Sequence, residues 1–310
     1  MKVQAWTKED IPSLKGQIVI VTGGNSGLGY ESVKALSKRG ATVILGTRSM
    51  ERGQEAYLSI QKENPNAEID VMALDLADLE SVKTFAESFN EKYERLDLLL
   101  NNAGVMTTPY GKTKDGFEQQ LGINHLGHFA LTGHLFEVLK KTPNARIVNI
   151  SSNAHKSGKM NFDNLMFEGG KGYTPMKAYA QSKLANLLFT QELQRRIEKN
   201  GLDITVTAAH PGVASTNLMR HIEDKFLYKI LGRLLAPMTQ EASDGALPGL
   251  RAATDPEVQG GEYFGPGGRW EMKGAPVTVA PITKSYDVMD ADQLWKVSEE
   301  LTGVIYPLNQ

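Results

Sequence analysis

Tyr179-Ala-Gln-Ser-Lys183 sets a phenol and an ammonium four residues apart in a segment whose pattern predicts a long amphipathic helix. Residues at i and i+4 share a helix face, one turn apart. A phenol with an unperturbed pKa of ~10 carries protons poorly at neutral pH, but a fixed positive charge beside it favours the phenolate and lowers that value. Tyr179 is therefore a candidate acid or base, with Lys183 as its tuner. The same spacing also describes a packed ring and a solvated charge, so the pair acquires meaning only from the elements that place it.

Those elements begin at 17–22, where Gln-Ile-Val-Ile-Val-Thr predicts a strand buried on both faces of a parallel sheet. It runs into Gly23-Gly24-Asn25-Ser26-Gly27-Leu28-Gly29, which opens a helix ending near Arg39-Gly40. Glycines there let backbone N–H groups approach a pyrophosphate at the positive end of a helix dipole. Strand, glycine-rich turn and helix together point to dinucleotide binding, with Gly23, Asn25, Ser26, Gly27 and Leu28 at the phosphates. A second strand at 41–46 ends in Thr47-Arg48-Ser49. An acid at such a strand end holds a ribose 2′-hydroxyl, whereas an arginine accommodates a 2′-phosphate. With Arg48 and no acid, NADP(H) is preferred over NAD(H), against the plainer reading of a solvated loop arginine.

A last strand is predicted at 262–265, after further strands at 69–74, 96–100, 146–150 and 202–209. The further strands end in Asp75-Leu76, Asn101-Asn102-Ala103-Gly104, Ser151-Ser152 and His210-Pro211-Gly212-Val213. Helices are predicted at about 50–63, 79–93, 114–141 and 178–200. Regular alternation gives an α/β fold, a doubly wound parallel sheet with helices on both faces, and ligands collect outside the carboxyl ends of its strands. Asn124, a mediocre helix former in mid-helix, offers an amide to a buried water network. His125 and His128 invite a metal reading, but no third ligand is evident and packing is the better explanation.

Other classes are disfavoured. The net charge of −2, with no basic block, gives no footprint for nucleic acid. Cysteine is absent, which excludes thiolate catalysis. No apolar run approaches the ~20 residues that span a bilayer. No signal-type segment opens the chain, so a cytoplasmic location is expected.

The joint pattern Thr22-Gly-x-x-x-Gly27-x-Gly29, Asp75-Leu76, Asn101-Asn-Ala-Gly104, Asn124, Ser152, Tyr179-x-x-x-Lys183 and Pro211-Gly212 resembles the short-chain dehydrogenase/reductase superfamily over about 16–265. Asn124-His-Leu-Gly-His-Phe129, the long segment between Ser152 and Tyr179, and Tyr179-Ala-Gln-Ser-Lys-Leu-Ala-Asn186 are most similar to its retinol dehydrogenase-like and protochlorophyllide reductase-like group. The resemblance implies a single-domain Rossmann fold whose catalytic residues are Asn124, Ser152, Tyr179 and Lys183. Tyr179 would be the acid in reduction and the base in oxidation. Lys183 would lower its pKa and bind the nicotinamide ribose, Ser152 would hold the substrate oxygen, and Asn124 would hold a water relaying protons to Lys183. Asp75, Leu76, Asn102, Ala103, Gly104, Pro211, Gly212, Val213 and Thr216 complete the implied cofactor contacts. Lack of cysteine counts against protochlorophyllide chemistry.

The resulting organisation is an extension at 1–15, an NADP-binding catalytic domain at 16–268 with substrate-side helices at 216–237, and an extension at 269–310 packing on the domain or a neighbouring subunit. Leu227, Ile230, Leu231, Leu234 and Leu235 would line a pocket for a lipophilic carbonyl compound or simply fill core. The resemblance also implies a homodimer or homotetramer formed through the helices at 114–141 and 178–200. The expected activity is alcohol/carbonyl interconversion with NADP(H). An NADP-binding sensor or scaffold without turnover, and reduction of an activated C=C bond, are the alternatives.

Overall fold

The computed structural model describes residues 5–213 and 240–308. Eight strands form one sheet in the order β3-β2-β1-β4-β5-β6-β7-β8. They are β1 Ile18–Thr22, β2 Thr42–Thr47, β3 Ile69–Ala73, β4 Leu98–Asn101, β5 Ala145–Ile150, β6 Ile204–Ala209, β7 Tyr263–Pro266 and β8 Pro276–Thr278. Strands β1 to β7 pair in parallel, and β8 runs antiparallel to β7. Val19, Ile20 and Val21 are fully buried, as a strand covered on both faces requires. The strand order reverses beside β1, which has β2 on one side and β4 on the other. That reversal opens a crevice at the carboxyl edge, the place such sheets bind dinucleotides.

The helices are α1 Gly27–Lys38, α2 Met50–Glu63, α3 Leu79–Lys92, α4 Gln119–Leu121, α5 Gly127–His134, α6 Phe136–Lys141, α7 Pro175–Lys199, α8 Ala242–Gly245, α9 Leu247–Thr254 and α10 Val288–Thr302. Two core layers cover the sheet. One contains Val33, Leu36, Ile60 and Leu250 from α1, α2 and α9. The other gathers Phe85, Phe89, Phe129, Phe136, Phe189, Trp295 and Tyr306 from α3, α5, α6, α7 and the carboxyl-terminal segment.

Three elements depart from the sequence expectation. The helix expected at 114–141 is interrupted: α4 leads into a π-helical turn, Gly122–Leu126, before α5, and α6 follows Leu135. The turn falls at Asn124, and such insertions into a helix concentrate at functional sites. Helix α7 begins three residues before Ala178, because the Thr174 hydroxyl accepts the Lys177 N–H and Pro175 occupies the first turn. Strand β8 extends the sheet from the region expected to lie beyond its last strand.

The carboxyl-terminal segment packs on this same core. Trp295 of α10 is 2% exposed, 5.2 Å from the Phe129 ring centroid and beneath the Arg196 guanidinium at 4.3 Å. Tyr306 donates its hydroxyl to the Phe129 carbonyl at 2.6 Å. Ser298 meets His125 at 2.9 Å, and Asp292 pairs with Arg196 at 3.1 Å. Helices α5 and α7 thus have a face occupied by α10, on the same two helices expected to meet another copy. Among the described residues, no helix is long and apolar enough to cross a membrane.

Candidate active site

Helix α7 leans against the carboxyl edge of the sheet and carries Tyr179 and Lys183, both buried. The Ser152 hydroxyl lies close enough to the Tyr179 phenol to lower its pKa, and its oxygen accepts the Ala154 N–H at 3.2 Å. Its neighbour Ser151 turns the other way and donates to the Lys183 carbonyl at 2.8 Å. Of the two serines that sequence alone barely separates, only Ser152 therefore faces the phenol. Lys183 Nζ donates to the Ile150 carbonyl at 2.9 Å and lies 5.8 Å from the Tyr179 ring centroid. Burial lowers the Lys183 pKa to about 8. Burial also raises the Tyr179 pKa, opposed by the Ser152 contact. The depression of the phenol expected from Lys183 is not seen: burial of the ring dominates, and at neutral pH the phenol holds its proton.

Lys183 has a thermodynamic consequence. Its folded pKa of about 8 lies below the ordinary 10.5, so the folded state disfavours the charged form. Below pH 8 both folded and unfolded states are protonated and the penalty is complete. As pH rises from 8 toward 10.5 the folded state loses its proton first, and the penalty fades. A shift of this size corresponds to about 3 kcal/mol. Lys183→Met removes the ammonium while the Ile150 carbonyl keeps the Asn186 amide at 3.0 Å. The variant is expected to lose turnover yet melt a few degrees higher at pH 7, with the gain shrinking toward pH 10. A lower melting temperature at neutral pH would contradict this account.

Asn124 lies in the π-helical turn and is fully buried. Its amide nitrogen donates to the Val105 carbonyl and to Ser182 Oγ, each at 2.9 Å, and its oxygen accepts the Val105 N–H at 2.8 Å. Both amide protons are spent, so the side chain acts first as a clasp on the chain leaving β4. A Cβ on Gly104 would stand 3.0 Å from Asn124 Oδ1 and 3.5 Å from Lys183 Nζ. The clasp and the ammonium converge on Gly104.

The crevice beside them fits a dinucleotide. Gly23 and Gly27 have φ of +67° and +55°, in the left-handed region that glycine tolerates. A Cβ on Gly29 would collide with the Gly23 carbonyl at 2.3 Å. Asn25 and Leu28 are half-buried in this turn, and the exposed Ser26 makes no side-chain capping bond to α1. The first-turn N–H groups of α1 are thereby left for an anion. Asn102 ties the β4 turn back by donating to the Thr22 carbonyl at 2.8 Å, and Thr22 Oγ1 accepts the N–H groups of Asn102 and Ala103, each at 2.9 Å. Asp75 follows β3 and accepts the Ala77 N–H at 3.0 Å, while Leu76 is buried. Arg48 follows β2, exposed and without an ion pair among the described residues. Pro211, Gly212 and Val213 follow β6, on the same edge. Thr216 and the expected helices at 216–237 lie outside the described residues.

The sequence reading gave His128 only a packing role. Its Nδ1–H donates to the Asn124 carbonyl at 3.1 Å, which leaves Nε2 to accept the Thr22 hydroxyl at 2.9 Å. Burial lowers its pKa to about 4 and that of His125 to about 3, so both rings are neutral at working pH. No group of three metal-binding side chains occurs among the described residues. His128 instead links the Asn124 turn to the β1 and β4 turns. Its i, i+4 spacing from Asn124 was the available signal.

Residues 17–165 match the short chain dehydrogenase family. Human retinol dehydrogenase 12 is 42% identical over 294 residues, covering 94% of this chain and 88% of that protein. Human retinol dehydrogenase 14 is 40% identical over 321 residues, covering 98% and 92%. The crystal structure of an uncharacterized protein from Mycobacterium paratuberculosis superposes with a TM-score of 0.81 at 38% identity, covering 98% of this chain and all of that one. With the Tyr179–Lys183 pair buried beside a glycine-lined crevice, the chain belongs to the short-chain dehydrogenase/reductase superfamily, in its retinol dehydrogenase-like group.

Proposed function

We propose that this protein interconverts a lipophilic alcohol and its carbonyl compound with NADP(H) as redox partner. The observation that carries the reading is the meeting of the Ser152 hydroxyl and the Tyr179 phenol over buried Lys183, at the strand edge that also holds the glycine crevice. A substrate oxygen placed between the two hydroxyls would accept a hydrogen bond from Ser152 and a proton from Tyr179. A phenol kept protonated by burial is ready to act as the acid, which favours carbonyl reduction at neutral pH. Lys183 supplies positive charge near the phenolate left behind, and the Asn124 clasp holds Gly104 against it. When bound, the nicotinamide ring supplies or accepts the hydride. Fixing proton donor and carbonyl in one geometry accounts for much of the rate such a site can offer.

Preference for NADP(H) rests on Arg48, an exposed guanidinium with no ion pair among the described residues, where an acid would select NAD(H). Arg48→Ala is expected to weaken NADPH binding about tenfold, the scale of one or two charge-assisted hydrogen bonds at an exposed site. NADH binding should change less than about twofold. Fluorescence titration of both cofactors checks this, and equal losses would contradict it. The names of the relatives make retinol and retinaldehyde the first substrate pair to test. NADPH consumption against retinaldehydes, long-chain aldehydes and small polar ketones tests the lipophilic class. Preference for the small polar ketones would overturn it.

A further inference from the structure

Glu271 belongs to none of the motifs above, yet it touches both turns that frame the site. Ser152 leads directly into the 3-10 turn Asn153–Ser157, which carries Lys156. Glu271 Oε2 lies 3.1 Å from Lys156 Nζ. The same oxygen lies 3.1 Å from Nε2 of His210, the residue that follows β6 and opens the Pro211-Gly212 turn. The His210 tautomer follows from its other nitrogen. Nδ1 accepts the Gly212 N–H at 3.2 Å, so the neutral ring carries its proton on Nε2, toward the carboxylate. The approach is a close polar contact, less well aligned than a hydrogen bond.

The backbone repeats the connection. Asn153 Nδ2 donates to the Glu271 carbonyl at 3.3 Å, and Val213 donates its N–H to the Met272 carbonyl at 2.9 Å. Trp270 and Glu271 are consecutive non-glycine residues with φ of +57° and +55°. Backbone held in that region persists where its surroundings fix it, and it clusters at functional sites. His210 and Lys156 hold the Glu271 carboxyl down at about 2, so it is ionised throughout the working range. His155, whose ring meets the Ser152 carbonyl at 2.6 Å, and Tyr263, packed between His155 and His210, complete the layer beneath the two turns.

We propose that Glu271 is a positioning residue whose carboxylate, by engaging Lys156 and His210 together, fixes the Ser152 turn relative to the Pro211-Gly212 turn. An exposed Lys–Glu pair by itself contributes little to stability. Here the value of the contact lies in registering two turns from different strands, one carrying the proposed ligand of the substrate oxygen and the other bordering the cofactor crevice. The role in turnover rests on the assignment of Ser152 made above.

The test uses the full chain with Glu271→Gln, Lys156→Met and the double variant. Displacement of reacting groups by an ångström can cost up to about a hundredfold, and each single variant is expected to lower kcat about tenfold. The KM for NADPH should change less than twofold on the same positioning argument. Melting temperatures should stay near wild type, and the double variant should be no slower than the worse single one. Hydrogen exchange should quicken in the peptides spanning 151–158 and 210–213 together, a readout independent of turnover. Wild-type kcat in Glu271→Gln, losses that multiply in the double variant, or faster exchange in only one turn would overturn the proposal. Ser152→Ala run in parallel separates the two ideas. If Ser152→Ala keeps full activity, the assignment of Ser152 fails, while the exchange data still decide whether Glu271 couples the turns.

Discussion

Tyr179→Phe is expected to lower kcat by about 10³-fold, within the span of general acid–base contributions, while NADPH affinity stays within about twofold because the ring itself is retained. Loss of the phenol removes the proton donor but leaves the Ser152 hydroxyl, the Gly104 clasp and the crevice unchanged. An interaction needed only as the proton moves shows its loss in kcat and not in ground-state binding. Because burial raises the Tyr179 pKa, the wild-type reduction rate should fall as the pH climbs past that value and the proton is lost. The variant should show no such limb. Steady-state kinetics across pH, with NADPH binding measured separately, test both points. Turnover in Tyr179→Phe within tenfold of wild type would require another acid.

Trp295→Ala is expected to cost about 3 to 5 kcal/mol, the range for deleting a large buried aromatic side chain. The indole packs on Phe129, Phe189 and Tyr306 with ring centroids 5.2, 6.1 and 4.7 Å away. Its N–H has no hydrogen-bond partner among the described residues, so truncation forfeits packing and the Arg196 contact and strands none of them. For a chain of this size the loss corresponds to a fall of about 5 to 8 °C in Tm. Loosening α10 also uncovers apolar surface on α5 and α7, and self-association should rise. Calorimetry and light scattering on one sample read both effects. A fall in Tm below about 2 °C would show that α10 contributes little to the core, against the scale for buried aromatics.

The sequence made the sheet legible from β1 to β7, because each buried parallel strand is an apolar run and each ends in a small or polar residue at the ligand edge. The Ser152, Tyr179 and Lys183 set was legible for the same reason: each member sits at a fixed offset from a recognisable strand or on one helix face. Three residues of strand in β8, beside Gly265-Pro266-Gly267-Gly268, are too few for any alternation to register. The π-helical turn at Asn124 is invisible to a 3.6-residue period because it inserts one residue into an otherwise apolar helix. The direction of the Tyr179 shift was misjudged because charge proximity can be read from i, i+4 spacing, whereas desolvation depends on everything packed around the ring. Glu271 could not be found from local pattern, since its partners lie 115 residues away at Lys156 and across a different strand at His210.

The most direct test of the central claim follows deuterium from NADPH labelled at the nicotinamide C4 position into the product of a retinaldehyde or long-chain aldehyde. The expected product is an alcohol with deuterium on the carbinol carbon, formed by wild type and nearly absent with Tyr179→Phe. Deuterium on a carbon of a former C=C bond would make the protein an alkene reductase, and tight NADPH binding with no labelled product would make it a binding protein. Either result would contradict the account.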